Sequence, residues 1–367
     1  MNEEVNINFC NLFIKFYKFY VTDDGLTLKE LAKLANVSVS TVSRVINSND
    51  IHSASKETRE KIWRLVRETH YVPNITAQNL KNGKKANNNT LKRSIVCVFA
   101  RTPDGTADPF FSLIFQAIEH EAVKRGCNVT GVFSASELCR NGNYEDLILS
   151  KPDGIILLGR YSKFLLKYLR SKSKNIVYTG LNTIQDNYDQ IICDGYAAAQ
   201  AAVRQLYELG HTRIGYIGEM SNESRYRGYY DCLFDLKIPI TRNYIIDTAQ
   251  SIKGGYESGF KILKASPAPP TAIFCANDIT AIGVIKALGE SNVKIPGDIS
   301  VISIDNVEMC QFVSPMLTSI DIPKEDLGRF ALKTLLDRID GGHHNPIKLE
   351  VPFKLIQRES CARLKLT

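Results

Sequence analysis

Arg44 and Ser40 stand four residues apart in VSTVSRVIN, a spacing that places both on one face of a helix, with Val39 beside them. An arginine fork pairs best with guanine. A serine hydroxyl can meet either base type, and valine offers only apolar contact, for example to a thymine methyl. Exposed together on a short helix, these side chains suit the reading of a DNA groove; the plainer alternative is a small helical bundle with ordinary surface residues. A second set comprises Asp108, Asp194, Arg225, Asn277 and Asp305, with Phe110 and Phe111. Carboxylates, amides and guanidinium groups hold hydroxyl-rich molecules, and an aromatic face covers a ring. Each acid also reads as a helix cap or turn residue. Of the two phenylalanines, one is expected in the core and one at the ligand. Asp278 is assigned to capping. No GxGxxG, GxxxxGK[ST], HExxH or GxSxG occurs, so no catalytic residue is assigned. His343 and His344 in GGHHN read as a surface turn rather than metal ligands, and no cofactor is expected.

The elements that must carry the first set are short. Thr27, with Glu30 three positions on, has capping-box spacing. Leu28, Leu31, Ala32 and Ala35 fall on one helical face. Asn36 tolerates the left-handed conformation of a tight turn. Ser38 can cap a second helix over 39–47 whose inner face is Val42 and Val45/Ile46. Two helices joined so briefly form a helix-turn-helix, with the second entering the major groove. Residues 55–70 form a third helix, with Ile62, Leu65 and Val66 inward, and Pro73 stops it. Residues 75–80 make about two turns, too short to stand alone. Such a segment folds when it pairs with a copy of itself on DNA. Leu80 could then wedge between base steps in the minor groove.

Charge agrees. Residues 26–93 carry a net +8 while the whole chain carries +7. Positive charge gathered in one short stretch is the footprint of a phosphate binder. Nine cysteines scattered without a CxxC pair argue for a reducing compartment, the cytoplasm, and no apolar run approaches a membrane span. Residues 1–25 read as an aromatic-rich extension, with a membrane or partner anchor as the alternative.

TLKELAKLANVSVSTVSRVIN, SKETREKI and YVPNITAQNL resemble the LacI/GalR family of bacterial transcription regulators. The loop 48–54 is longer than in the lactose repressor, which leaves the register of its phosphate contacts open. The resemblance implies that the head meets operator DNA through Thr27, Ser38, Val39, Ser40, Thr41, Ser43, Arg44 and Asn47. The hinge would do so through Tyr71, Asn74, Thr76, Ala77, Gln78 and Leu80.

Residues 82–93 form a polar, basic linker. Beyond it, SIVCVFA, DGIILLG, NIVYTG, RIGYIG, TAIFCAND and ISVISID are apolar runs of strand length, alternating with helical stretches such as 111–124, 197–209, 255–264 and 279–288. Repeated alternation predicts an α/β fold of parallel sheets covered by helices on both faces. Roughly 270 residues of it divide better into two lobes than into one core. Ligands of such sheets bind outside the carboxyl ends of the strands, where most of the second set falls.

ADPFF, KPDGIILLG, ICDGYAAAQAAVRQLYELGHTRIGYIG, ESRYRGY, CANDITAIGVIKALGE and IPGDISVISIDNVEM continue the family resemblance to about residue 360. They imply its two-lobed, periplasmic-binding-protein-like sensor, with crossings near Leu206, Ile322 and Asp340. The lobes would be 94–207 plus 322–339 and 208–321 plus 340–360. The resemblance places a ligand-gripping guanidinium at Arg225. Gln250 stands where many relatives carry an aromatic residue, which makes a purine a poorer ligand. ADPFF and KPDGIILLGRYS look most like galactoside-type regulators.

The reading implied is a homodimeric repressor of carbohydrate-use genes on a near-palindromic operator. A sugar between the lobes would change their angle and unfold the hinge; a corepressor response is the opposite sign. A sugar-binding protein without regulatory role, a regulator of a non-sugar ligand, and an enzyme on the same fold are the competing classes.

Overall fold

The computed structural model describes residues 28–47, 55, 57–59, 61–62, 65, 93–100, 108–135, 151–160, 163–184, 187–265 and 268–364. The extension 1–25, the Thr27 cap, the hinge 75–81 and nearly all of the linker lie outside them, as does much of the expected helix 55–70. The chain divides into two units, Met1–Thr90 and Leu91–Thr367.

In the first unit, α1 (Leu28–Ala35) and α2 (Val39–Asn47) are joined by a turn in which Asn36 adopts φ +56°. The Val37 amide donates to Ala32 O at 3.1 Å, closing α1. Ser38 Oγ accepts from the Thr41 amide at 3.1 Å, opening α2. Leu31, Ala32, Ala35, Val42, Val45 and Ile62 form its buried core, with Val37, Val39 and Leu65 packed against it. Each fully buried aliphatic side chain here contributes roughly 1.5–3 kcal/mol.

The second unit contains two six-stranded sheets. The first has the order β11-β5-β4-β3-β1-β2, from β1 (Ser94–Phe99), β2 (Asn128–Ser134), β3 (Gly154–Leu158), β4 (Ile176–Gly180), β5 (Asp189–Ile192) and β11 (Lys348–Glu350). All its pairings are parallel. The second has the order β12-β10-β9-β8-β6-β7, from β6 (Ile214–Gly218), β7 (Ile245–Asp247), β8 (Ala272–Cys275), β9 (Ser300–Asp305), β10 (Thr318–Asp321) and β12 (Lys354–Ile356). Only β12 runs antiparallel in it. Strands β1, β3, β6, β8 and β9 are buried almost throughout, as continuous apolar runs require. In each sheet the order reverses beside the first strand of its lobe, and a crevice opens at the carboxyl ends there.

Two of the three expected crossings move. Helix α5 (Gly195–Glu208) packs on α6 (Ser224–Asp235) and on the second sheet, not the first. The contact is close: a Cβ on Gly228 would lie 2.3 Å from Tyr196 O. The first crossing is therefore at 193–194, not near Leu206. The second falls at 322–323, where α9 (Lys324–Ile339) returns to pack on α3 (Pro109–Lys124). Here Gly328 allows the approach, a Cβ there lying 2.3 Å from Ile114 O. Strand β11 still belongs to the first sheet and β12 to the second, so the third crossing is at 351–353 rather than near Asp340. The remaining α-helices of the second unit, among the described residues, are α4 (Lys163–Lys172), α7 (Ile252–Ile262) and α8 (Asp278–Glu290).

The turn after α9 is not a free surface loop at His343. Its Nε2 lies 3.0 Å from Asp189 Oδ2 and its Nδ1 2.5 Å from Asp337 Oδ2. Asp189 is fully buried and also accepts from Arg338 and, at 2.8 Å, from the Ile347 amide. His344 remains exposed. Among the described residues no group of three or more His, Cys, Asp or Glu is placed to hold a metal ion.

Candidate functional site

In the head, Ser40 and Arg44 are exposed, with Arg44 Nε 3.4 Å from Ser40 O. Both side chains stand on the exposed face of α2. Val39 is half-buried against the head's core, so it is partly a packing residue rather than wholly outward. Ser38 and Thr41 are engaged locally: Ser38 Oγ lies 2.8 Å from both Ser40 Oγ and Thr41 Oγ1. Ser43 and Asn47 lie on the backbone of α2. Thr27, Tyr71, Asn74, Thr76, Ala77, Gln78 and Leu80 fall outside the described residues.

In the sensor, the carboxyl ends of both sheets meet at a cleft. Asp108, Phe110 and Phe111 reach it from the start of α3, Gly159 and Arg160 from the end of β3, and Tyr178, Leu181 and Asn182 from the end of β4. From the second lobe come Glu223 and Arg225, at the start of α6, and Asp305, at the end of β9. Five of the eight expected ligand residues thus line one cleft. The free space at its centre is about 20 Å³, little more than the roughly 10–15 Å³ one water needs.

Each lining group has a local cause. Asp108 caps α3, its Oδ1 accepting from the Phe110 amide at 2.9 Å. Pro109 suits the first helical position, where its missing N–H costs nothing. The rings of Phe110 and Phe111 meet edge to face at 5.0 Å, and both are buried. The expected split between core and ligand does not hold, because both rings serve the core and line the cleft. Gly159 has φ +87°, and a Cβ there would sit 2.8 Å from Phe111 Cζ.

Arg225 is buried and bidentate to Glu223, with Nε to Oε1 and Nη2 to Oε2 each at 2.8 Å. Nη1 donates to Ala276 O at 2.8 Å and Nη2 to Gln250 Oε1 at 2.9 Å. Four of the guanidinium's five N–H groups are thereby used. Burial alone would lower its pKa, but the Glu223 carboxylate more than offsets that and holds it above the ordinary arginine value. Gln250 belongs to this network: its Nε2 also donates to Glu223 Oε2 at 3.0 Å. It does not line the cleft in this state.

Asp305 is the exceptional group. It is 3% exposed, its φ is +118°, and its Oδ1 has no hydrogen-bond partner among the described residues. Burial first, then the neighbouring Asp278 carboxylate, push its pKa well above the usual carboxylate range. A strained backbone holding an unsatisfied buried acceptor at a cleft is an arrangement that a ligand's donor would complete.

Asp194 and Asn277 take the plainer reading. Asp194 Oδ1 accepts from the amides of Tyr196 and Ala197 at 2.9 and 3.2 Å, capping α5 in the first crossing. Asn277 Oδ1 accepts from the Thr280 amide and hydroxyl at 3.1 and 2.6 Å, capping α8. Asp278 is not the cap. It is a fully buried knot that accepts from Ser303 Oγ and Ser319 Oγ, both at 2.6 Å, and from the Val307 amide at 2.7 Å. Arg160, Glu223, Tyr178 and Asn182 were not singled out in the sequence. The end-of-strand rule reaches Arg160 and Asn182, which follow GIILLG and IVYTG, whereas Glu223 precedes α6 and carries no such mark.

The model of the lacI family of bacterial regulatory proteins matches residues 27–74, and that of the periplasmic binding protein-like domain matches residues 203–361. The HTH-type transcriptional repressor PurR of Yersinia pestis bv. Antiqua (strain Antiqua) is 32% identical over 344 residues, 92% of this chain and 97% of that protein. Among solved structures, the transcriptional regulator CelR–cellobiose complex is 25% identical with a TM-score of 0.67, covering 91% of this chain and 99% of its own. The lac repressor dimer bound to operator and the anti-inducer ONPF is 25% identical with a TM-score of 0.65, covering 92% and 100%. A LacI family regulator from Enterococcus faecium with bound ribose is 26% identical with a TM-score of 0.64, covering 74% and 100%. Head, paired lobes and relatives agree: this chain belongs to the LacI family of bacterial transcription regulators, with a helix-turn-helix DNA-binding head and a ligand-binding sensor.

Proposed function

We propose that this protein is a cytoplasmic, homodimeric repressor of carbohydrate-use genes, whose operator affinity is set by an uncharged sugar bound between the lobes. The observation that carries the ligand reading is Asp305, a buried carboxyl with an oxygen lacking a hydrogen-bond partner among the described residues, which lines a cleft walled by two phenylalanine rings. A hydroxyl donor satisfies that oxygen, and a sugar's apolar face suits the rings. A phosphate finds less welcome here, because Arg160 and Arg225 are both paired with glutamates. Cellobiose and ribose in related structures support the class, and a galactoside is the specific candidate.

In the head, Arg44 and Ser40 are the base-reading pair, with the other head and hinge positions serving backbone contact and the groove. A two-fold dimer places two such heads on two half-sites. No helix among the described residues is long and apolar enough to cross a membrane, which is compatible with this placement. The test is fluorescence-anisotropy titration of the full chain against the DNA upstream of its own gene, at two salt concentrations, with galactose, lactose, cellobiose and ribose in turn. Tight, salt-sensitive binding released by one sugar is expected. Operator binding indifferent to every sugar would remove the sugar assignment and favour a non-sugar effector; absence of specific binding would remove the regulatory one.

A further inference from the structure

The Lys324 ammonium is the centre of a small knot at the second crossing. It stands in the first turn of α9, and its three protons meet three backbone carbonyls: Asp305 O, Asn306 O at 3.4 Å and Ile322 O at 3.0 Å. The Asp321 carboxylate lies 3.6 Å away. Two of those carbonyls belong to consecutive residues with left-handed backbone, Asp305 at φ +118° and Asn306 at φ +51°. Non-glycine residues stay in that region only where their surroundings over-determine them. At Asn306 the side chain takes part. Its amide donates to Ser319 Oγ at 3.1 Å and its Nδ2 to Asp321 Oδ1 at 3.0 Å, while its Oδ1 accepts from Arg358 Nη2 at 2.7 Å. Asp305 is held by its main chain instead: Lys324 grips its carbonyl, and its carboxyl lines the cleft. The Lys324 side chain is 10% exposed and does not line the cleft.

Resting on the reading of Asp305 as the carboxyl that meets the effector, we propose that Lys324 is the positioning residue of that site: without touching the effector, it fixes the backbone at 305–306 so that the Asp305 side chain is turned to the cleft, and it ties that backbone to the crossing at 322–323. The register argues for this. Asp305 pairs with Asp321 at the ends of β9 and β10, and Lys324 reaches back from three residues beyond Asp321. An ammonium is a compact point charge with three rotatable donors, so it can gather carbonyls that converge from two directions; a planar fork is poorly shaped for that task. Its charge acts as well. Burial dominates the raised pKa of the Asp305 carboxyl, and the charged groups around it adjust the balance. Asp278 from α8 and Asp108 at the start of α3 favour the protonated form, while Arg225 from α6 and Lys324 from α9 favour the ionised one. The same ammonium holds Ile322 O in the crossing. A shift of the Asp305 backbone is therefore passed to the segment that joins the lobes.

Thermal unfolding of the full chain across a range of pH, followed by circular dichroism, tests this in wild type, Lys324→Met, Asp305→Asn and the double variant. The Asp305 carboxyl has a raised folded-state pKa, so its contribution to stability is complete below the usual carboxylate range and is lost as pH rises towards the raised value. Lys324→Met removes a cation that favours the ionised form, so the fall in melting temperature should extend to higher pH. On the Asp305→Asn background the same substitution should leave the shape of the profile unchanged. A wild-type profile in Lys324→Met, or the same extension without the Asp305 carboxyl, overturns the proposal. Lys324→Arg keeps the charge but changes the shape of the donor, and it decides the matter where Lys324→Met does not fold. It should keep the wild-type pH profile and, in hydrogen-exchange mass spectrometry, speed exchange roughly tenfold, the size of one charge-assisted hydrogen bond, in peptides spanning 303–308, with the β8 peptide unchanged. Unchanged exchange at 303–308 overturns the proposal, and faster exchange everywhere overturns it in favour of a general loss of structure. Calorimetric titration with galactose, lactose, cellobiose and ribose separates the two readings. A sugar that binds the wild type should bind Lys324→Met roughly tenfold more weakly, and equal affinity overturns the positioning role. The Asp305-dependent extension with no sugar bound by any variant keeps the hold of Lys324 on Asp305 and defeats the sugar assignment.

Discussion

Removing Arg225 should unfold the second lobe more readily than it disarms it. The Arg225→Ala substitution deletes both bonds to Glu223, the bond to Ala276 O and the bond to Gln250. It leaves the Glu223 carboxylate, 1% exposed, without its bidentate partner and with the Arg160 guanidinium at the longer distance of 3.5 Å. Breaking a buried pair by removing one partner costs about 3–5 kcal/mol, because the other charge stays desolvated. For a unit of this size each kcal/mol lowers the melting temperature by roughly 2–4 °C, so a fall of about 10 °C is expected. The double variant Arg225→Met with Glu223→Leu removes both charges and should recover most of that loss. Thermal unfolding followed by circular dichroism at one protein concentration, with urea titration for the free energies, completes the double-mutant cycle. A single substitution costing less than about 1 kcal/mol, or a double variant no more stable than the single, would refute the argument that Arg225 is chiefly the counter-ion of a buried carboxylate. A failed ligand response in Arg225→Ala then says nothing about ligand contact until the double variant has been tried.

Three further outcomes are expected. Arg44→Ala should weaken specific operator binding by about 1–3 kcal/mol while leaving the fold intact, since Arg44 is exposed; anisotropy against operator and scrambled DNA reads the difference, and equal loss on both would make it a phosphate contact. Asp305→Asn should stabilise the ligand-free protein at neutral pH by about 1–3 kcal/mol and abolish sugar binding. The sign follows from its raised folded-state pKa: the native carboxyl keeps a proton that the unfolded chain has released, so stability falls as pH rises above the usual carboxylate range towards that raised value. The asparagine variant should lose that part of the slope, and melting curves with the wild-type slope would count against it. Gly159→Val should clash with Phe111 from a backbone at φ +87°, lowering the melting temperature and closing the cleft, and unchanged calorimetric sugar binding would show that the ring is free to move aside.

The two described helices of the head and the turn between them were legible in the sequence. The i, i+3, i+4 apolar stripe, an asparagine at the turn and a serine at the next cap are local signals, and each of these groups acts within a few residues of itself. The strands of the sensor were legible for the same reason: a strand buried on both faces must be apolar throughout, and that mark needs no knowledge of its neighbours. Periodicity does not say which sheet a helix covers. Residues 195–208 have the same apolar face whether they pack on the first lobe or the second, and their placement rests on the approach of Tyr196 to Gly228 in α6. Three-residue strands such as β11 carry no periodic mark, so the third crossing could not be read from the pattern. The division of roles among the acids is likewise three-dimensional. Asp194, Asp278 and Asp305 all follow or end buried strands, yet one caps a helix, one anchors a hydroxyl cluster and one faces the cleft. Arg160 and Glu219 are far apart along the chain, and only the three crossings bring their lobes face to face, so the charge pair that spans the cleft is a product of topology rather than of any local motif.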